Sequence, residues 1–209
     1  MAIRPAWTIK DGKVIREDFE FAWNGGFAIT QKQKNIKGLH QAILDTTGQR
    51  SLEISSKGMD ELGRNLSAFN LKLSGRYIEN VFQAAKKYEN GGPYLDLLDV
   101  EPKDAKRDQR HQSSGMLAAF VRDGDVWPLE PKTAFYDYLY VTAVYEQYGP
   151  ALDLSSCQWY TDIEFNPKKS INCQARSAAI YKLIQSMDGF EVLASEVQWL
   201  QFHREFVVD

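Results

Sequence analysis

The sequence predicts an α+β fold: a single, mainly helical domain with a few short strands and an added N-terminal β-hairpin. Three observations point there. Asn24-Gly25-Gly26 is flanked by apolar runs, apolar residues recur at helical spacing in several later segments, and short β-like stretches are interspersed among them. At 209 residues the chain is long enough to bury one substantial core.

Taken in order, Asp18-Phe-Glu-Phe-Ala-Trp23 and Phe27-Ala-Ile-Thr30 read as the arms of a hairpin, because Asn-Gly between apolar runs favours a tight turn. Ile36, Leu39, Ala42 and Ile43 then follow helical spacing, closed by Thr46-Thr47-Gly48. Residues 1–49 thus form a hairpin and short helix ahead of a main unit at 50–209, and could serve as a lid, a partner surface or a sheet edge. Residues 51–55 read as a strand, followed by a polar loop through Gly58 and Gly63 and a further strand entered near Leu73. Residues 77–88 read as a helix stopped by Asn90-Gly91-Gly92-Pro93. Pro102 suits a first helical turn, opening a helix over 103–111. Residues 133–148 are an aromatic-rich helix, and the last clear helix runs from Asn172, as N-cap, to Met187.

Composition excludes several classes of function. Lys and Arg total 25 against 28 Asp and Glu, a net charge of −3, so a generally basic nucleic-acid coat is excluded and any such contact must be local. No apolar run is long enough to span a bilayer, and residues 1–20 lack the apolar stretch of a signal peptide. Cys157 and Cys173 read as free thiols of a cytoplasmic protein, and His40, His111 and His203 are too scattered for a histidine-rich metal site. No nucleophile elbow, P-loop or dinucleotide fingerprint occurs, and nothing calls for a cofactor.

The most informative stretch is Tyr77-Ile-Glu-Asn-Val-Phe-Gln-Ala-Ala-Lys-Lys87. On a helix, Ile78, Val81, Phe82 and Ala85 share one side, and Glu79, Gln83 and Lys86 form an adjoining polar stripe. On periodicity alone this stripe is either a solvated flank or a carboxylate, an amide and an amine gathered on one face.

The run Glu79-Asn80-Val81-Phe82-Gln83-Ala84-Ala85-Lys86 resembles the central motif of the NADAR superfamily, the YbiA-like proteins. Further blocks agree in the same order: Leu66-Ser67-Ala68-Phe69, Glu101-Pro-Lys-Asp-Ala-Lys-Arg-Asp-Gln-Arg110, Trp159-Tyr160-Thr161-Asp162, and Asn172. The match covers about residues 50–187, with Asn80, Ala68, Gln109 and Thr161 departing from the usual pattern. The resemblance, to the branch that accompanies DarT-type toxins, implies a hydrolase that removes ADP-ribose from guanine bases of DNA. Lys86 would then form a Schiff base, Glu79 would transfer protons, and Asp162 would orient ribose hydroxyls or act as a second acid; Asp162 also reads as a simple turn residue. Gln83, Phe82, Ser67, Phe69, Arg107, Arg110, Trp159, Tyr160 and Asn172 are the implied substrate-binding residues. Lys106 and Arg110 would share a helix face, with arginine suited to a diphosphate. Lys168-Lys169 could meet a DNA backbone, Arg176 could pair with a carboxylate, and Gly91-Gly92-Pro93-Tyr94 could wall the pocket or simply stop a helix. The implied ligands are ADP-ribosylated DNA or ADP-ribose, with a DarT-type toxin as genetic partner. The alternatives are an N-glycosidase acting on small ribosylated metabolites of the riboflavin pathway, and a non-catalytic module binding ADP-ribose or the toxin.

Overall fold

A computed structural model describes residues 1–208. Its framework is a four-stranded sheet whose strands lie in the order β2 (Lys13–Phe21), β1 (Ala2–Lys10), β9 (Trp159–Thr161) and β3 (Ser51–Glu53). Strands β1 (Ala2–Lys10) and β2 (Lys13–Phe21) pair antiparallel along their whole length, so the predicted hairpin exists but lies earlier in the chain. Its turn is Asp11-Gly12, with φ of 51° and 72°; both residues sit in the left-handed region that a two-residue hairpin turn demands. Asn24-Gly25-Gly26 instead leads into helix α1 (Ile29–Thr47), so Phe27-Ala-Ile-Thr30 is a loop and helix start rather than a strand. Pro5 weakens residues 2–10 as a strand on paper. In the sheet it falls just outside the Ala6–Thr8 stretch that pairs with β9.

Helix α1 buries Ile36, Leu39 and Ile43 against Ala6, Phe19, Phe21, Trp159 and Ile163, making a small core on one face of the sheet. Gly48 ends it with φ 70°, its N–H bonded to the Leu44 carbonyl. Strand β3 (Ser51–Glu53) runs parallel to β9 (Trp159–Thr161), and β1 lies antiparallel on β9's other side. Successive β9 side chains point to opposite faces. Trp159 accordingly joins the small core and Tyr160 the large one.

Between β3 and β9 come α2 (Glu61–Asn65), β4 (Lys72–Leu73), β5 (Arg76–Tyr77), α3 (Ile78–Ala84), β6 (Lys86–Tyr88), α4 (Pro102–Arg107), α5 (Arg110–Ser113), β7 (Leu117–Arg122), β8 (Asp125–Trp127) and α6 (Ala134–Tyr148). The chain closes with α7 (Gln174–Ser186) and α8 (Glu196–Phe206). Strands β6, β7 and β8 form a second, three-stranded sheet. The large core gathers α3, α6, α7 and α8 residues, including Phe82, Phe135, Tyr140, Ile180 and Trp199.

Three predicted helices differ in extent. The helix expected over 77–88 stops at Ala84, because its last carbonyls find partners elsewhere: Ala84 O accepts from Tyr94 N at 2.8 Å and Ala85 O from Val121 N at 2.7 Å. The chain then extends as β6 along β7. The helix expected over 103–111 breaks in two, since the Asp108 carboxylate takes the Arg110 N–H at 2.9 Å and so competes with the helical backbone. Helix α7 is preceded by Cys173, not Asn172, as its N-cap residue.

Candidate active site

Helix α3 runs through the protein interior: all seven of its residues are buried, Glu79 and Gln83 included. Asn80 braces it by donating to the Leu97 and Val100 carbonyls at 2.7 and 2.8 Å. Glu79 and Gln83, one turn apart, touch directly, with Gln83 Nε2 donating to Glu79 Oε1 at 2.7 Å. Lys86 has left the helix, so it does not share that face as a third helical position. It reaches back nevertheless, and its Nζ donates to Gln83 Oε1 at 2.6 Å. The predicted stripe is therefore a continuous chain, carboxylate to amide to amine, built across a helix-to-strand junction.

The Lys86 amine lies 5.1 Å from the Phe82 ring centroid, half-buried above the aromatic cluster of Phe82, Phe120 and Tyr136. Burial lowers its pKa to about 8, opposed by Glu79 and assisted by the like charge of Lys106. Phe82 contributes as the apolar floor beneath this amine.

Lys86 is also held from behind. A Cβ on Gly92, whose φ is +74°, would stand 2.2 Å from the Lys86 carbonyl oxygen, and Lys87 Nζ binds the Gly92 carbonyl at 2.9 Å. The Gly91–Tyr94 turn thus buttresses the lysine strand. Gly92→Ala is expected to push β6 outward and lower activity roughly 100-fold, the scale of a misplaced reacting group. Circular dichroism should show the helices retained, and unchanged turnover would remove this role from Gly92.

Glu79 opens onto a cleft of about 510 Å³, whose walls include Phe69, Lys57, Lys103, Lys106, Tyr136, Asp162 and Asn172. Lys106 Nζ stands 3.7 Å from Glu79 Oε1 across its rim. Asp162 follows β9 and makes the turn that its position suggests, Oδ1 accepting from Glu164 N at 3.0 Å and Phe165 N at 3.2 Å. It also lines the cleft, so both readings of this residue have a structural counterpart. Burial, then the charge of Glu53, raises the Asp162 pKa, while a hydrogen bond from Gln174 opposes the rise.

Two residues that sequence reasoning passed over organise this wall. The Gln174 side-chain oxygen accepts from Ala68 N at 2.8 Å and Ser67 Oγ at 3.4 Å, joining the loop at 66–69 to Asp162. Ser67 therefore acts from behind the cleft. Glu53, buried on β3, accepts from Thr161 Oγ1 at 2.7 Å and Ile163 N at 2.8 Å, holding a side chain on one side of Asp162 and the backbone on the other. His40 reaches the same Thr161 hydroxyl at 2.8 Å from α1, and burial lowers its pKa to about 4. No local motif announces either residue: each acts through a partner more than 100 positions away.

Several expected binding residues stand elsewhere. Trp159 and Tyr160 are core residues, Trp159 bonding Gln49 Oε1 through its indole N–H at 2.9 Å. Arg107 is exposed and outside the cleft wall. Arg110 does not share a helix face with Lys106; it is clamped by Asp96 at 2.6 Å and Asp108 at 2.8 Å. The cations that reach the cleft are lysines 57, 103 and 106. Lys168 and Lys169 are exposed near Ser170, outside its wall. Arg176 does pair with a carboxylate, Asp137 of α6, at 3.2 Å. The two thiols are free, and no helix among the described residues is long and apolar enough to cross a membrane.

The family model for the DarT1-associated NADAR antitoxin matches residues 2–208. The chain belongs to that family. The match takes in the N-terminal hairpin and α1, which the superfamily motifs at 50–187 did not reach. No curated protein matches the chain. NADAR proteins are generally N-glycosidase-like hydrolases, and the DarT1-associated family name pairs this antitoxin with a DarT toxin.

Proposed function

We propose that this NADAR antitoxin hydrolyses the N-glycosidic bond between ADP-ribose and guanine in DNA, undoing the modification made by a DarT-type toxin. The observation that carries this reading is the Glu79–Gln83–Lys86 chain, which joins an amine of lowered pKa, itself behind the cleft wall, to a carboxylate on that wall, with Asp162 lining the same cleft. A cleft of about 510 Å³ falls within the range of small-molecule sites. Lys57, Lys103 and Lys106 supply positive charge for a diphosphate.

In the proposed reaction the neutral Lys86 nitrogen bonds to ribose C1 as the C1–guanine bond breaks, and Asp162, protonated through burial and the nearby Glu53, gives its proton to the departing base. Glu79 takes a proton from the alkylated amine. It returns that proton to the ring oxygen as the C1–O bond opens, leaving a protonated imine on Lys86. Water adds to the imine carbon, the amine departs, and the excess proton returns to Asp162. ADP-ribose and neutral Lys86 result, so atoms and protons balance.

The test offers purified protein three substrates: an oligonucleotide ADP-ribosylated on guanine, one modified on thymine, and a ribosylated flavin precursor. Release of ADP-ribose from the guanine oligonucleotide alone is the expected result. Turnover of the flavin precursor alone would move the protein to small-metabolite chemistry. Tight ADP-ribose binding without turnover would make it a binding module.

A further inference from the structure

Phe27 is 99% exposed, on the Gly-rich loop between β2 and α1. The loop is not loosely held at its start: the Asn35 side chain accepts from Asn24 N at 2.7 Å and donates to Asn24 O at 2.9 Å, fixing where the chain leaves β2. Trp23, next to that clasp, carries the Arg4 guanidinium 4.8 Å from its ring centroid and the Lys32 amine at 6.0 Å. Lys32 in turn pairs with Glu164 at 3.0 Å, and Glu164 belongs to the cleft wall. The cation-flanked indole therefore sits one ion pair away from the candidate active site, with the exposed Phe27 four residues further along the loop. Helix α1 reinforces the charge, carrying Lys32, Lys34 and Lys37 with no acidic residue before Asp45. In a chain whose net charge is −3 this is a local concentration of positive charge, complementary to a polyanion.

We infer that the 23–28 loop and the start of α1 form a shelf for the DNA strand flanking the modified guanine, with Phe27 stacking on a neighbouring base and Arg4 and Lys34 meeting its phosphates. Interleaved aromatic and cationic side chains are the recurrent means of gripping single-stranded nucleic acid without reading its sequence. The inference rests on the DNA reading above and adds to it a place for the strand outside the cleft. The cleft takes one sugar-linked base; the shelf orients the chain to which that base belongs.

The test compares wild type with Phe27→Ala on a modified single-stranded oligonucleotide and on ADP-ribosylated guanosine. The ratio of kcat/KM for oligonucleotide over nucleoside should fall about tenfold, the scale of one base–aromatic stack. An unchanged ratio overturns the shelf while leaving the hydrolase reading intact. If wild type cleaves neither substrate the hydrolase reading fails, and fluorescence anisotropy with an unmodified labelled strand decides the shelf by itself. Phe27→Ala should weaken that binding about tenfold, and Lys34→Ala should flatten its salt dependence by roughly one phosphate contact. Equal binding by wild type and both variants overturns the shelf, as does a Phe27→Ala protein that loses toxin capture while keeping its strand affinity.

Discussion

Lys86→Ala should abolish release of ADP-ribose from guanine-modified DNA while leaving the fold intact. The lysine bonds Gln83 through its amine only, and Glu79 keeps Lys106 within 3.7 Å, so little structural support is lost. The expected rate loss is large because the amine is prepared for attack. With a pKa of about 8, roughly a tenth of it is neutral at pH 7, against about three parts in ten thousand for an ordinary lysine. Turnover should therefore rise with pH through a midpoint near 8. Glu79→Gln removes the charge that opposes the shift, so the remaining activity should show a midpoint at lower pH. Lys106→Ala removes a like charge and should move the midpoint upward. Borohydride added during turnover should leave a reduced adduct on a peptide containing Lys86. Full activity in Lys86→Ala, or an adduct mapped to another lysine, would refute the imine mechanism.

The largest expected loss of stability comes from a cluster that the chemistry does not use. Asp137 of α6 is fully buried and accepts from Ser177 Oγ at 2.6 Å; it pairs with Arg176 at 3.2 Å on α7 and with His203 Nε2 at 3.0 Å on α8. Burial alone would raise its pKa, but the charge of Arg176 and the His203 hydrogen bond prevail and hold it lowered. One carboxylate thus fastens three helices. Asp137→Ala should destabilise the protein by about 3–5 kcal/mol, because the Ser177 and His203 hydrogen bonds and the Arg176 ion pair are all lost inside the core. That is a large part of the total stability of a typical domain. Urea unfolding at pH 7 measures it, and a loss below about 1 kcal/mol would show that the three helices are held by apolar packing alone.

Much of this architecture is legible from local pattern, and its departures have identifiable causes. Ile36, Leu39 and Ile43 announce α1, and Ala175, Ala178, Ala179, Leu183 and Ile184 announce α7, because each set turns one apolar face to a core. The hairpin is announced by turn chemistry, yet both Asp11-Gly12 and Asn24-Gly25 meet that requirement. What selects between them is pairing with β9, far away in sequence. Helix α8 lies beyond the last helix expected from the sequence, at 172–187, although Ser195 and Gln198 mark its start, the serine accepting from the Gln198 N–H at 3.3 Å. The candidate site divides in the same manner. Glu79 and Gln83 are joined by helical spacing, whereas Lys86 meets them only because tertiary hydrogen bonds end the helix at Ala84. Gln174 and Glu53 were invisible for a related reason: glutamine and glutamate at such positions read as ordinary polar residues until the partners that bury them are known.

The placement of β9 bears on how the antitoxin is made. Thr8, near the amino end, meets Gln158 at a separation of 150 residues, and β9 must slot between β1 and β3 before the central sheet exists. A growing polypeptide on the ribosome can form its hairpin early, but that hairpin then waits with one side unmatched until β9 has been made. Until then the unpaired edge of β1 is open to a strand from another chain, an exposure that the finished sheet removes.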